Sequence, residues 1–290
     1  MRSSKPGARS GAPLTAPVED YLKAIYELER HGAAAGTKEL AAALRIAPAS
    51  VSGMVRRLAA QGLIAYERYR GARLTDKGRR AALGTLRRHR VIEAYLAEAL
   101  GYPWDRVHDE AERLEHAASD ELVDRMAAAI GEPETDPHGA PIPSRDGTMD
   151  ERRLASLDDL PPGAEARISR VEDDDPERLR YLGRMGIRPG ARVRIVERAP
   201  YGGPITLRVA RAERHVGSEL ARHVLVIPPP GITLSHAASA PPPVPDAGRD
   251  AGQTARRAGK RGGRTAPRAG RKRSDRAAPP RSRRSKNDRD

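Results

Sequence analysis

The chain has no cysteine and no phenylalanine, and a single tryptophan among its 290 residues. Without cysteine there is neither a disulfide framework nor a thiolate metal site. Without phenylalanine the core has to be built from Leu, Ile, Val, Ala and Met, which a hydrophobic content of 38% allows without generosity. No apolar run reaches the roughly 18 residues of a membrane span. The opening from Met1 to Ala16 is polar and has no apolar segment of the signal-peptide kind. These absences predict a cytoplasmic protein with no membrane partner.

What is abundant is positive charge, and it is unevenly placed. The formal net charge is +14, yet Ser239 to Asp290 alone holds 16 Lys/Arg against 5 Asp/Glu, a net of +11. That stretch is rich in Pro, Gly, Ala, Ser and Arg, with too little apolar content to fold, and is expected to be a disordered basic tail touching nucleic acid without sequence preference. Residues 1–16 are likewise expected to be disordered.

The hydrophobic spacing between them predicts a mainly α protein with a small β domain. Val18, Leu22, Ile25 and Leu28 mark a first helix with Pro17 in its first turn. Thr37 is placed to cap a short helix over Lys38 to Leu44. After a tight turn at Arg45 to Pro48, a second helix over Ala49 to Gln61 turns Val51, Val55 and Leu58 inward and stops at Gly62. A hairpin follows, with strands at Leu63 to Tyr66 and Ala72 to Leu74 joined through Arg70-Gly71. Thr75 caps a long helix over Asp76 to Leu100. This order is that of a winged helix-turn-helix, expected over 17–75. Its recognition helix offers Ser50, Ser52, Arg56 and Arg57, and its wing Arg68, Arg70 and Arg73, for base edges and phosphates of double-stranded DNA.

Two more helices are predicted at Pro103 to Ala118 and Ser119 to Ile130, and a loop with a domain boundary at Pro137 to Arg153. The helical domain is thus drawn over 76–147. From 154 to 228 short β-like runs (Ala166 to Val171, Ala191 to Glu197, Ile205 to Val209, His223 to Ile227) alternate with Gly/Pro turns, as in a small barrel.

Chemistry concentrates in the helical part. His89 and Glu93 are four residues apart, as are His108 and Glu112, and Glu112, Glu115 and His116 follow at steps of three and four. Residues so spaced share a helix face, so each helix can present several ligands to one point. Imidazole and carboxylate without sulfur suit Mn²⁺ or Fe²⁺, though Zn²⁺ also binds such sets. No H-E-x-x-H motif and no Gly-rich phosphate loop accompanies them.

The run Val18-Glu19-Asp20-Tyr21-Leu22-Lys23-Ala24-Ile25-Tyr26-Glu27-Leu28 resembles the first helix of the diphtheria toxin repressor family. Arg88-His89-Arg90, Val107-His108-Asp109-Glu110-Ala111, Glu115-His116 and Pro141-Ile142-Pro143 resemble it as well. The resemblance covers about residues 17 to 228. It implies a winged helix-turn-helix, a helical dimerisation domain and a C-terminal SH3-like barrel in a homodimeric, metal-dependent repressor of metal-uptake genes that binds a palindromic operator. It also implies a primary metal site at Asp20, Glu112, Glu115 and His116, resembling the manganese-sensing branch because Met and Cys occupy the first two positions in iron sensors. A second site is implied at His89, Glu93 and His108, completed from the SH3-like domain by Asp174, Asp175 or Glu177. Lys23 departs from the pattern: short manganese sensors have Glu there, and a lysine argues against an identical two-metal cluster. The competing expectations are a metalloenzyme using the same His/Glu site, and a module in which the barrel docks a transporter.

Overall fold

The computed structural model describes residues 14–67, 70–150, 152–172 and 175–228. The tail over 239–290, the opening residues 1–13 and Arg68 on the wing lie outside the described residues.

Three helices, α1 (Ala16–Arg30), α2 (Thr37–Ala43) and α3 (Pro48–Ala60), precede an antiparallel hairpin of β1 (Ile64–Glu67) and β2 (Gly71–Leu74) paired Ile64↔Leu74. Val18, Leu22 and Ile25 of α1, Leu40 of α2, and Val51, Val55 and Leu58 of α3 form their common core with Leu63 and Leu74. This is a winged helix-turn-helix. Thr37 does not cap α2. Ala35 is held in a bridge to Ala72, so the chain is still extended at Gly36, which becomes the cap and leaves Thr37 inside the helix.

Helix α4 (Asp76–Glu98) starts where expected, with the Thr75 hydroxyl accepting from the Gly78 amide. Gly78 has no room for a side chain, because a Cβ would stand 1.9 Å from the Leu63 carbonyl. The first turn of α4 therefore sits directly on the wing. The predicted helix from Pro103 is shorter: α5 spans Val107–Leu114 and α6 spans Asp120–Ala129, capped by Ser119. Tertiary contacts outweigh helix propensity ahead of α5. Trp104 is buried in the core of the β domain, and Asp105 accepts from Arg180 Nε at 2.8 Å.

The β domain contains β3 (Ala155–Ser156), β4 (Glu165–Val171), α7 (Pro176–Arg184), β5 (Arg192–Arg198), β6 (Ile205–Val209), β7 (Ala212–Val216), α8 (Ser218–Arg222) and β8 (Val224–Ile227). Its antiparallel sheet has the order β3-β8-β4-β5-β6-β7 and an SH3-like architecture around Leu157, Ile168, Leu182, Ile195, Leu207 and Val226. The four predicted strands are present; β7 and helix α7 are additions. Among the described residues no helix is long and apolar enough to cross a membrane.

The segment between α6 and β3 joins the domains. The Val171 amide donates to the His138 carbonyl at 2.9 Å. Gly139 has φ 87° and packs so tightly on the Ser169 carbonyl that a Cβ would come within 2.0 Å of it. Arg30 at the end of α1 reaches Glu172 just beyond β4 at 2.8 Å.

Candidate metal centre and DNA-facing surface

Helices α1, α4 and α5 converge so that all seven sequence-predicted ligand residues fall into one continuous cluster. Asp20, on the first turns of α1, places Oδ1 2.9 Å from His116 Nε2, and Glu115 Oε1 lies 3.3 Å from the same nitrogen. Candidate ligand atoms of Asp20, Glu115 and His116 all lie within 4.8 Å of one another, as do those of His89, Glu112 and Glu115, and those of His89, Glu93 and His108. His89 joins the two ends. Its Nδ1 is 2.6 Å from Glu115 Oε2, and its Nε2 is 3.1 Å from Glu93 Oε1 and 3.2 Å from His108 Nδ1. His108 Nδ1 is in turn 3.3 Å from Glu93 Oε1.

Lys23 Nζ stands between Glu112 and Glu115, at 2.6 and 2.8 Å. Burial works against its ammonium, but Glu115 and Glu112 outweigh it and hold the lysine above its ordinary pKa. Lys23 thus takes a place suited to a cation and shows that this oxygen set accommodates one. Burial would raise the Glu115 carboxyl, but the His89 hydrogen bond and the Lys23 charge bring it below the usual range. Burial pushes Asp20 up, against His116 and Lys23. His89 would be lowered by burial, yet Glu93 and Glu115 drive it up to about 10.

Three residues of the site were not singled out from the sequence. Glu19 Oε2 is 2.7 Å from His116 Nδ1, which holds the imidazole so that Nε2 faces Asp20 and Glu115. A carboxylate behind a histidine is the usual support of a metal-ligating imidazole. Asp136 and His138, from the segment before the β domain, meet Glu93 on its far side. The proposed completion by the SH3-like domain is not what the geometry offers. Asp174 lies outside the described residues. Asp175 caps α7 by accepting from the Glu177 amide, and both residues are exposed, away from the cluster. Glu172 lines the shared cavity of about 720 Å³ instead, bound to Arg30 and Arg170.

On the DNA-binding domain, Ser50, Ser52, Arg56 and Arg57 are exposed along α3, and Arg73 is exposed on β2. Arg70 is at the wing tip, 3.2 Å from Glu67 and largely in solvent. Side chains on the opposite face of α3 are buried, so its polar face is free of the core.

A winged helix-turn-helix whose first helix shares an imidazole and carboxylate cluster with a following helical domain defines a metal-responsive DNA-binding regulator. Comparison with known proteins identifies which kind. Residues 13–72 match the family described as iron dependent repressor, N-terminal DNA binding domain; residues 75–144 match its metal binding and dimerisation domain; residues 155–228 match the FeoA domain. The iron-dependent repressor IdeR of Mycobacterium leprae is 32% identical over 225 residues, covering 73% of this chain and 97% of that protein. The diphtheria toxin repressor of Corynebacterium diphtheriae is 31% identical over 208 residues, covering 67% and 89%. Among solved structures, a manganese-dependent transcriptional repressor in complex with manganese is similar with a TM-score of 0.69 and 39% identity, over 72% of this chain and 99% of that one. The manganese regulator SloR is similar with a TM-score of 0.62 and 31% identity, over 72% and 97%. The chain belongs to the iron-dependent repressor family that includes IdeR and the diphtheria toxin repressor. It is a metal-dependent transcriptional repressor, not an enzyme, and the family gives no support to the metalloenzyme and transporter-docking readings.

Proposed function

We propose that this repressor is switched by Mn²⁺ or Fe²⁺ held by Asp20, Glu112, Glu115 and His116, with His89, Glu93 and His108 as a second, adjoining site. The observation that carries this reading is the 2.9 Å approach of Asp20 to His116. It makes α1, an element of the DNA-binding domain, one wall of a ligand set whose other members lie at and beyond α5. The donors are oxygen and imidazole only, which favours Mn²⁺ and Fe²⁺ over cations that prefer sulfur. The manganese-bound relative supports Mn²⁺, and IdeR, an iron-dependent repressor by name, supports Fe²⁺.

When bound, the cation supplies charge that draws these ligands onto one centre. The chain's residues do the rest. Asp20 brings α1 to the helical domain, Glu19 orients His116, and His89 couples the two sites through its two ring nitrogens. A head fixed in this way presents α3 at a constant spacing to that of a second protomer, as a palindromic operator requires. Ser50, Ser52, Arg56 and Arg57 read and grip the major groove, and Arg68, Arg70 and Arg73 on the wing grip phosphates. Dimerisation falls to the helical domain, where Leu100, Tyr102, Leu114 and Leu122 are exposed apolar side chains. We assign the domains as 17–75, 76–147 and 154–228, place the protein in the cytoplasm, and take genes of metal uptake as its targets.

The test is metal activation of operator binding in the double variant Asp20→Asn, Glu112→Gln. Both substitutions preserve shape and remove anionic oxygen. Loss of activation with the fold intact supports the assignment; activation at unchanged Mn²⁺ concentration overturns it.

A further inference from the structure

Glu93 has two sides. One faces His89 and His108; the other faces the segment 136–140, which the reading above leaves unused. There Glu93, Asp136 and His138 are all buried, and a ligand atom from each lies within 4.8 Å of the others. We propose that Glu93, Asp136 and His138 form an additional divalent-cation site that shares Glu93 with the His89–Glu93–His108 cluster. The proposal depends on that cluster only through Glu93.

The orientation of His138 is the first reason. Its Nε2 lies 2.8 Å from the Trp104 carbonyl, which can only accept, so Nε2 carries the hydrogen. In the neutral ring the Nδ1 lone pair is then turned toward Glu93 Oε1, 3.9 Å away. Two acceptors facing one another at that distance are too far apart to share a hydrogen bond and leave room for a cation between them. An imidazole whose other nitrogen donates to a backbone carbonyl is held as metal-ligating histidines are held.

Asp136 is the second reason. Its Oδ1 accepts from the amides of His138 at 2.8 Å and Ala140 at 3.0 Å, which explains one oxygen as the organiser of the turn. The other oxygen meets Arg90 Nε only at 3.7 Å, beyond hydrogen-bond reach. Arg90 itself donates to the Pro141 carbonyl at 2.7 Å and reaches toward Glu27 at 3.4 Å. Two buried carboxylates therefore stand together with one shared, imperfectly placed guanidinium, an arrangement that a divalent ion would balance. One imidazole and two carboxylates form a hard donor set that suits Mn²⁺ or Fe²⁺.

Such an ion would tie α4 to the segment that carries the β domain. His138 accepts from the Val171 amide of β4, and Trp104, whose carbonyl holds His138, is buried in the β-domain core. Occupancy would thus fix the SH3-like domain on the dimerisation helices independently of the Asp20 site.

The test is anomalous diffraction at the manganese edge from crystals of the full chain grown with Mn²⁺, paired with equilibrium dialysis of Mn²⁺ against wild type, Asp136→Asn and His138→Gln. Asp136→Asn keeps the oxygen that organises the turn. The expected result is an anomalous peak bounded by Glu93, Asp136 and His138, and one Mn²⁺ fewer per protomer in each variant. No peak there, or equal counts in wild type and both variants, overturns the proposal. Should one variant fail to fold, the wild-type map and the other variant still decide. A peak here without one at Asp20, Glu112, Glu115 and His116 would contradict the functional reading alone, and the reverse would contradict this inference alone.

Discussion

Lys23 Nζ lies 2.6 Å from Glu112 Oε1 and 2.8 Å from Glu115 Oε1, so a built-in cation already sits among the carboxylates assigned to metal. Glu115 is fully buried and Glu112 about two-fifths exposed, so the pair is only partly screened. Lys23→Met removes the positive charge and leaves the carboxylates facing one another. The metal-free protein should lose about 2 kcal/mol, less than the cost of breaking a fully buried pair because Glu112 is wet. Divalent metal should bind roughly tenfold more tightly, about 1.4 kcal/mol. Thermal melts with and without Mn²⁺ check both signs: a lower apo midpoint and a larger rise on adding metal. An unchanged apo midpoint would mean that the ammonium contributes nothing.

His89 sets a pH dependence. Its pKa rises from an ordinary 6.5 to about 10 because Glu93 and Glu115 outweigh the opposing effect of burial. A raised pKa stabilises the metal-free fold fully below about 6.5, and that contribution disappears as pH climbs through about 10. Metal needs the neutral ring, so binding in that window should release about one proton from His89, and affinity should climb with pH. Calorimetry in two buffers of different ionisation heat measures the release. Its absence at pH 7.5 would remove His89 from the ligand set.

Trp104 is the chain's only tryptophan and is buried in the β-domain core, with Arg188 stacked 4.8 Å over its ring. Deleting residues 154–228 should expose it and shift its emission to longer wavelength, while the remaining helical domain still dimerises. Trp104→Ala in the full chain should cost about 3 kcal/mol, the low end for a buried tryptophan, because the indole nitrogen has no hydrogen-bond partner to lose. Unshifted emission after the deletion would contradict the packing of Trp104 in that core.

Arg56→Ala and Arg57→Ala should each weaken operator binding and reduce the log-log salt slope by about 0.9 where a phosphate contact is lost. Ser50→Ala should instead alter preference between operator sequences, as expected of a residue near base edges. Removing residues 239–290 should lower non-specific affinity and its salt slope while metal activation persists. A salt slope unchanged by every one of these changes would place the DNA on another surface.

How much of this was legible follows from period and context. Apolar spacing located α1, α3 and the wing, because each buries one face against the same core. The helix expected from Pro103 was overextended, since nothing in its local pattern says that Trp104 and Asp105 will be claimed by a domain 50 or more residues away. Strand β7, with Ala212, Glu213, Arg214 and His215 ahead of Val216, is an edge strand too polar to announce itself. At the site, His89, Glu93, His108, Glu112, Glu115 and His116 could be read because helical intervals put ligands on one face. Asp20 came only through resemblance, being some 90 residues from its partners. His138 sits in a Pro/Gly loop with no interval to compare, and only the fold brings it to Glu93.

The most direct test of the metal-gated account is operator affinity of the full chain with saturating Mn²⁺ and, separately, with chelator. Because Asp20 of the DNA-binding domain meets His116 of the helical domain across the cluster, the account predicts a loss of at least tenfold, about 1.4 kcal/mol, when metal is withdrawn. By linkage, Mn²⁺ should bind the operator complex more tightly by the same factor. Equal operator affinity in the two conditions would contradict the account.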